Sequence, residues 1–162
     1  MTHPVFASPT YARLTKVFGP AAGAACTAGR AQFPFPFVIA WDKTQKIRSH
    51  ACHELIAPHL TSIYAQAAAH YGEKRFRDLG LDLFGGCYND RPMRGSTRRS
   101  THAWGIAVDV DPARNQLRWG ADKAVLDGPD YEAWWKIIEA HGAFSLGRKS
   151  NYDWMHFQFC QV

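Results

Sequence analysis

Apolar residues recur at helical spacing in two stretches of the chain and at strand spacing in others. Between residues 50 and 71 the stripe is Ile56, Leu60, Ile63, Tyr64 and Ala67, one buried face of a helix that Gly72 ends. Pro58 lies inside this run and predicts a kink or a restart. The second helix is announced by Asp127-Gly128-Pro129-Asp130, which supplies cap residues and a first-turn proline. Its stripe is Tyr131, Trp134, Trp135 and Ile138, and Gly142 closes it. A shorter helix is expected from Thr10 to Phe18, followed by a Gly/Ala-rich loop over 20–29. Strand patterns occupy Leu81–Phe84, leading into Gly85-Gly86, then Ile106–Val110 and His156–Phe159. In Phe33–Trp41 prolines alternate with apolar residues, so its second half reads as a short strand at a sheet edge. Helices and strands mix without a βαβ rhythm or a Gly-rich phosphate loop. The expected fold is α+β, with a small, mostly antiparallel sheet flanked by helices.

Composition narrows the setting. A chain of 162 residues, 46% hydrophobic and 20% charged, suits one globular domain spanning 1–162. No apolar run approaches the roughly 20 residues that cross a bilayer, so stable membrane insertion is not expected. The N-terminal MTHPVFASPTYARLTK lacks a basic segment followed by an apolar one, so synthesis in a cytoplasm without a signal peptide is expected. The net charge of +5 favours an anionic partner. Arg91, Arg94, Arg98 and Arg99 crowd one short stretch that reads first as a solvated loop. None of the four cysteines forms a CxxC pair, and reduced thiols are expected.

The candidate chemistry lies on two of the strands. In Ile106–Val110, Ile106, Val108 and Val110 face one side, and Gly105, Ala107 and Asp109 the other. A carboxylate flanked by such small residues has open space around it. In the last strand Phe157 and Phe159 share one face, His156 and Gln158 the other. If the two strands are neighbours, Asp109 and His156 converge, and His102 can fold over from the loop seven residues earlier. Two imidazoles and a carboxylate make an open tetrahedral zinc site. The plainer alternatives are histidines on a polar face and an Asp paired with an arginine. His50 and His53, at i, i+3 on the expected helix, compete as a metal pair, but lack a third partner and read as surface or helix-start histidines. Asp153, in the turn before His156, is placed to act as a general base or is an ordinary turn aspartate.

These residues carry a resemblance. Ser100-Thr101-His102-Ala103-Trp104-Gly105-Ile106-Ala107-Val108-Asp109, followed by Asp153-Trp154-Met155-His156-Phe157-Gln158, resembles the SxHxxGxAxD and late-His signature of the zinc D-Ala-D-Ala carboxypeptidases and L-alanyl-D-glutamate endopeptidases. Lysostaphin-type and hedgehog-type proteins share that pattern. The stretch from Leu83 to Arg91 is similar to the Gly-Gly/Tyr/Arg segment that precedes it. The resemblance runs from about residue 33 to the C-terminus and leaves the first 30 or so residues less distinctive. It implies a hedgehog/D,D-peptidase-like fold, with Zn2+ held by His102, Asp109 and His156 and Asp153 as the base. It also implies an arginine that binds the substrate carboxylate or polarises the scissile carbonyl, with Arg91 in that position and Arg94 in reserve. Family members often carry Glu where this chain has Asp153, so the turn must bring the shorter side chain closer. Arg94, Ser100 and Gln158 are expected to bind substrate, Ser100 and Gln158 alternatively to orient the ligands. Trp104 and Trp154 either wall a groove or belong to the core, and Trp104 is assigned to the core.

The resemblance implies a monomeric zinc peptidase acting on the stem peptide of bacterial peptidoglycan. An L-alanyl-D-glutamate endopeptidase of the phage endolysin kind is expected, acting in the cell wall or periplasm; the alternative is a D-Ala-D-Ala carboxypeptidase. The rival from another class is a nucleic-acid-binding protein, using the arginine stretch with Tyr88 and Trp104 for stacking. No nucleic-acid partner is expected on the zinc reading.

Overall fold

The computed structural model describes residues 4–162. The first three residues, part of the stretch read above as lacking an export signal, lie outside the described residues. Among the described residues the fold is α+β, built on one six-stranded sheet of order β2-β1-β3-β4-β6-β5. The strands are β1 (Gly29–Ile39), β2 (Asp42–Cys52), β3 (Leu83–Gly86), β4 (Ala107–Val110), β5 (Phe144–Ser145) and β6 (His156–Gln158). All neighbours run antiparallel except β1 and β3.

The helices are α1 (Leu14–Phe18), α2 (Ala57–Tyr71), α3 (Glu73–Asp78), α4 (Glu132–Ala140) and α5 (Leu146–Ser150). The predicted stripe of α2 is buried throughout, from Ile56 to Ala67. Trp134 of α4 meets Phe157 of β6 edge to face, ring centroids 6.0 Å apart. This helix therefore covers the face that carries Val108 and Phe157, which lie opposite each other across β4 and β6.

Three expectations change. The helix starts at Ala57 rather than near residue 50, and Pro58 sits in its first turn, where a missing N–H costs nothing, so no kink is needed. Residues 42–52 instead form edge strand β2, which places His50 on a strand and His53 in the following turn. Phe33–Ile39 belongs to an 11-residue strand inside the sheet, between β2 and β3. Its prolines, Pro34 and Pro36, fall where the β1–β2 register is interrupted between Gln32 and Phe37, so no ladder hydrogen bond is lost to them.

Candidate metal centre

The site is assembled by the central strands and one short helix. Asp109 and His156 are direct cross-strand partners on β4 and β6, on the face opposite Val108 and Phe157. The third member comes from the 3-10 helix Thr101–Trp104. Ser100 caps this helix, its side chain accepting from the His102 N–H at 3.3 Å. Gly105 ends it at φ +68, and a Cβ there would collide with the Cys26 carbonyl, so the turn that aims His102 requires glycine.

His102, Asp109 and His156 bring three ligand atoms within 4.8 Å of one another. His102 Nε2 lies 3.2 Å from one Asp109 oxygen, and His156 Nδ1 lies 3.1 Å from the other. The far side of each ring decides what the near side offers. His102 Nδ1 is 2.6 Å from the Cys87 carbonyl, which can only accept, so Nδ1 carries the proton and Nε2 presents a lone pair. His156 Nε2 is 2.8 Å from Gln158 Oε1. The Gln158 amide is itself fixed, because its NH2 donates to the Cys160 carbonyl at 3.1 Å and its oxygen accepts from Thr101 Oγ1 at 3.0 Å. His156 therefore donates from Nε2 and turns Nδ1 inward. Three acceptors thus face one buried point, an arrangement that calls for a cation or for protons. This donor set, each imidazole steadied from behind by an acceptor, fits zinc.

The electrostatics agree. Burial would raise the Asp109 carboxyl, but the charges of His102 and His156 and their hydrogen bonds outweigh it and hold it far below the usual carboxylate range. Burial would lower His156, but its bond to Asp109 and the charges of Asp109 and Asp153 raise it. A metal bound here would compete with a proton on His156. Asp153 sits in the turn before β6 at φ +53, with Oδ2 4.0 Å from His156 Nδ1. Burial pushes its pKa up, and Asp109 adds to the effect, while His156, His102 and Arg91 pull the other way.

Beside these groups lies a cleft of about 310 Å3, lined by His102, Asp109, Arg91, Tyr88, Trp41 and the Gly85–Gly86 floor, among others. Arg94 is exposed in the small hairpin around the Pro92–Arg99 bridge and does not line the cleft. Ser100 and Gln158, expected to bind substrate or to orient the ligands, are both buried: one caps the helix of His102, and the other accepts from His156. Trp104 is buried, as assigned. Trp154 is also buried and borders a different, larger groove of about 770 Å3 that contains none of the three converging groups. His50 and His53 are buried rather than superficial. His50 bridges the Ala51 carbonyl and the Tyr64 hydroxyl, and His53 Nε2 lies 2.8 Å from the Phe18 carbonyl.

The groups on which the nucleic-acid reading rested are engaged within the protein in three cases. Trp104 is not free to stack, Arg99 is paired with Asp90, and Arg98 lies over the Tyr11 ring, 3.9 Å from its centroid. Trp41, 69% exposed at the β1–β2 turn, was not anticipated as a cleft residue. Its only signal in the sequence is a large aromatic next to Asp42-Lys43-Thr44, at the end of an apolar strand.

His102, Asp109 and His156 form a cluster that could hold a metal ion, and two of the three, His102 and Asp109, line the adjoining cleft. Residues 94–159 match the family model described as D-alanyl-D-alanine carboxypeptidase. That stretch contains His102, Asp109, Asp153 and His156 and begins after Arg91. The matched segment is less than half of the chain, and the likeness to that carboxypeptidase family is confined to it. No curated protein and no solved structure matches the chain.

Proposed function

We propose that this protein is a zinc-dependent peptidase that hydrolyses an amide of the peptidoglycan stem peptide. The observation that carries the reading is the convergence of three acceptors on one point beside an open cleft, within the stretch that matches the peptidase family model. His102 Nε2, Asp109 and His156 Nδ1 hold the metal. A bound zinc supplies Lewis-acid polarisation of the scissile carbonyl and acidifies a water beside it. Asp153 accepts the proton of the attacking water and returns it to the departing amine, a role suited by a carboxyl whose proton affinity burial has raised. Arg91, on the cleft wall, receives the substrate carboxylate bidentately.

Two bonds of the stem peptide present the same recognition element. In D-Ala–D-Ala and in L-Ala–D-Glu alike, the residue on the amine side has D configuration and a free α-carboxylate. Arg91 serves either. The family match favours D-Ala–D-Ala cleavage. We propose L-Ala–D-Glu cleavage by a phage endolysin working in the cell wall as the second reading, supported by the sequence resemblance described above. The test is appearance of a new amine, as free D-alanine or as a D-Glu N-terminus, when purified peptidoglycan is incubated with the protein. Its appearance should stop when a chelator removes the metal and return with added zinc; appearance that continues unchanged in chelator would overturn the proposal.

A further inference from the structure

The cleft has one wall that the fold does not need. Trp41 is 69% exposed and stands outside the hydrophobic core. The turn it occupies is held by its neighbour: Asp42 Oδ1 accepts from the Thr44 N–H and hydroxyl, and Oδ2 accepts from Gln45 Nε2 at 2.7 Å. An indole left in water at a turn secured by other groups has no folding role to explain it.

Its position is nonetheless fixed. β1 lies parallel to β3, and the Ala40 N–H donates to the Phe84 carbonyl at 2.9 Å, so the turn is tied beside Gly85 and Gly86. Gly86 pairs with Asp109 across β3 and β4. It has φ +118, and a Cβ built on it would meet nothing within 4 Å. The floor between Trp41 and the carboxylate is therefore bare, and Arg91 and Tyr88 complete the same cleft. One apolar wall, a floor without side chains and a cation suit a short peptide of small side chains that carries a carboxylate.

We propose that Trp41 is a substrate-binding residue: its indole is the wall against which the alanine-rich stem peptide lies while Arg91 takes the carboxylate. This rests on the peptidase reading above and extends it to a residue outside the matched segment. The experiment compares wild type, Trp41→Ala and Trp41→Phe, all zinc-loaded. The probe is the synthetic pentapeptide stem, followed by calorimetry at low temperature for binding and by amine release for turnover. Trp41→Ala should weaken binding and raise KM about tenfold with kcat within about twofold, and Trp41→Phe should recover most of the loss. Zinc content and melting temperature should not move, because the ring is outside the core. Trp41→Ala with wild-type binding and KM would overturn the inference and leave the peptidase reading standing. Wild type that binds the pentapeptide through Trp41 but never cleaves it would overturn the peptidase reading alone. Wild type that neither binds nor cleaves it would overturn both.

Discussion

Gln158 gives the sharpest test of how the centre is built. Replacing it with Leu removes three contacts at once: the acceptor of His156 Nε2, the acceptor of Thr101 Oγ1 and the donor to the Cys160 carbonyl. Residue 158 is buried, so water cannot substitute for these partners. At about 1 kcal/mol for each hydrogen bond lost, partly offset by the apolar side chain, the metal-free protein should lose about 2–3 kcal/mol of stability. The effect on metal is separate. Without the Gln158 oxygen, His156 is free to protonate Nδ1 or to rotate its ring, and outer partners of this kind are worth about 10–100-fold in affinity. Thr101→Val removes one of the three contacts and leaves His156 its acceptor, so its zinc affinity should fall by less than about threefold. Competition against a chromophoric chelator reads the affinity, and urea melts of the metal-free proteins read the stability. Gln158→Leu protein that binds zinc as tightly as wild type would refute the argument that Gln158 fixes the ring.

The other predictions concern chemistry and pH. Asp153→Asn should keep its zinc and its fold but lose about 10²–10⁴ in turnover, measured on the same batch as the metal content; loss of zinc would make Asp153 a ligand or a structural group. Arg91→Ala should cut kcat/KM on stem peptide by about 10²–10³, whereas Arg94→Ala, outside the cleft, should act only weakly and in a salt-dependent way; the reverse order would exchange their roles. Burial, with the charge of Arg30 adding to it, leaves His50 neutral, its pKa lowered from 6.5 to about 4. The unfolded chain then takes up a proton that the folded one refuses. The stability due to His50 is complete above about pH 6.5 and falls by up to about 3 kcal/mol as the pH drops to about 4. Urea melts of wild type and His50→Gln across that window should show a shallower decline in the variant, and parallel declines would contradict the assignment.

Much of the site was legible because strand alternation is a strong constraint. Asp109 and His156 each sit on the polar side of a short strand whose other side is apolar, and pairing those strands forces them together. The Ser-x-His-x-x-Gly spacing could be read for the same reason, since a capped single turn ended by a left-handed glycine has little freedom. Strand β2 was missed because it is an edge. Between Asp42 and Ser49 only Ile47 is apolar, which resembles a polar loop, and the apolar stripe that starts at Ile56 invited the helix to extend backward over it. The expectation that His50 and His53 are superficial followed from that error, for on a strand and in its exit turn they are buried. Gln158 was hard to assign because two roles share the same polar face. Only the Cys160 carbonyl, which orients the amide, separates them. Trp41 left no periodic trace, because its neighbourhood is created by the parallel pairing of β1 with β3, two strands far apart in the chain.

The central claim is that His102, Asp109 and His156 hold a metal with which this protein cuts the stem peptide. It is tested most directly by mass spectrometry of purified muropeptides incubated with the zinc-loaded protein, with the metal-stripped protein and with zinc-loaded Asp109→Ala. The account predicts a single new amide cleavage in the stem peptide, loss of terminal D-Ala or separation at L-Ala–D-Glu, with the zinc-loaded wild type only. Unchanged muropeptides in that sample, or the same product from Asp109→Ala, would contradict it.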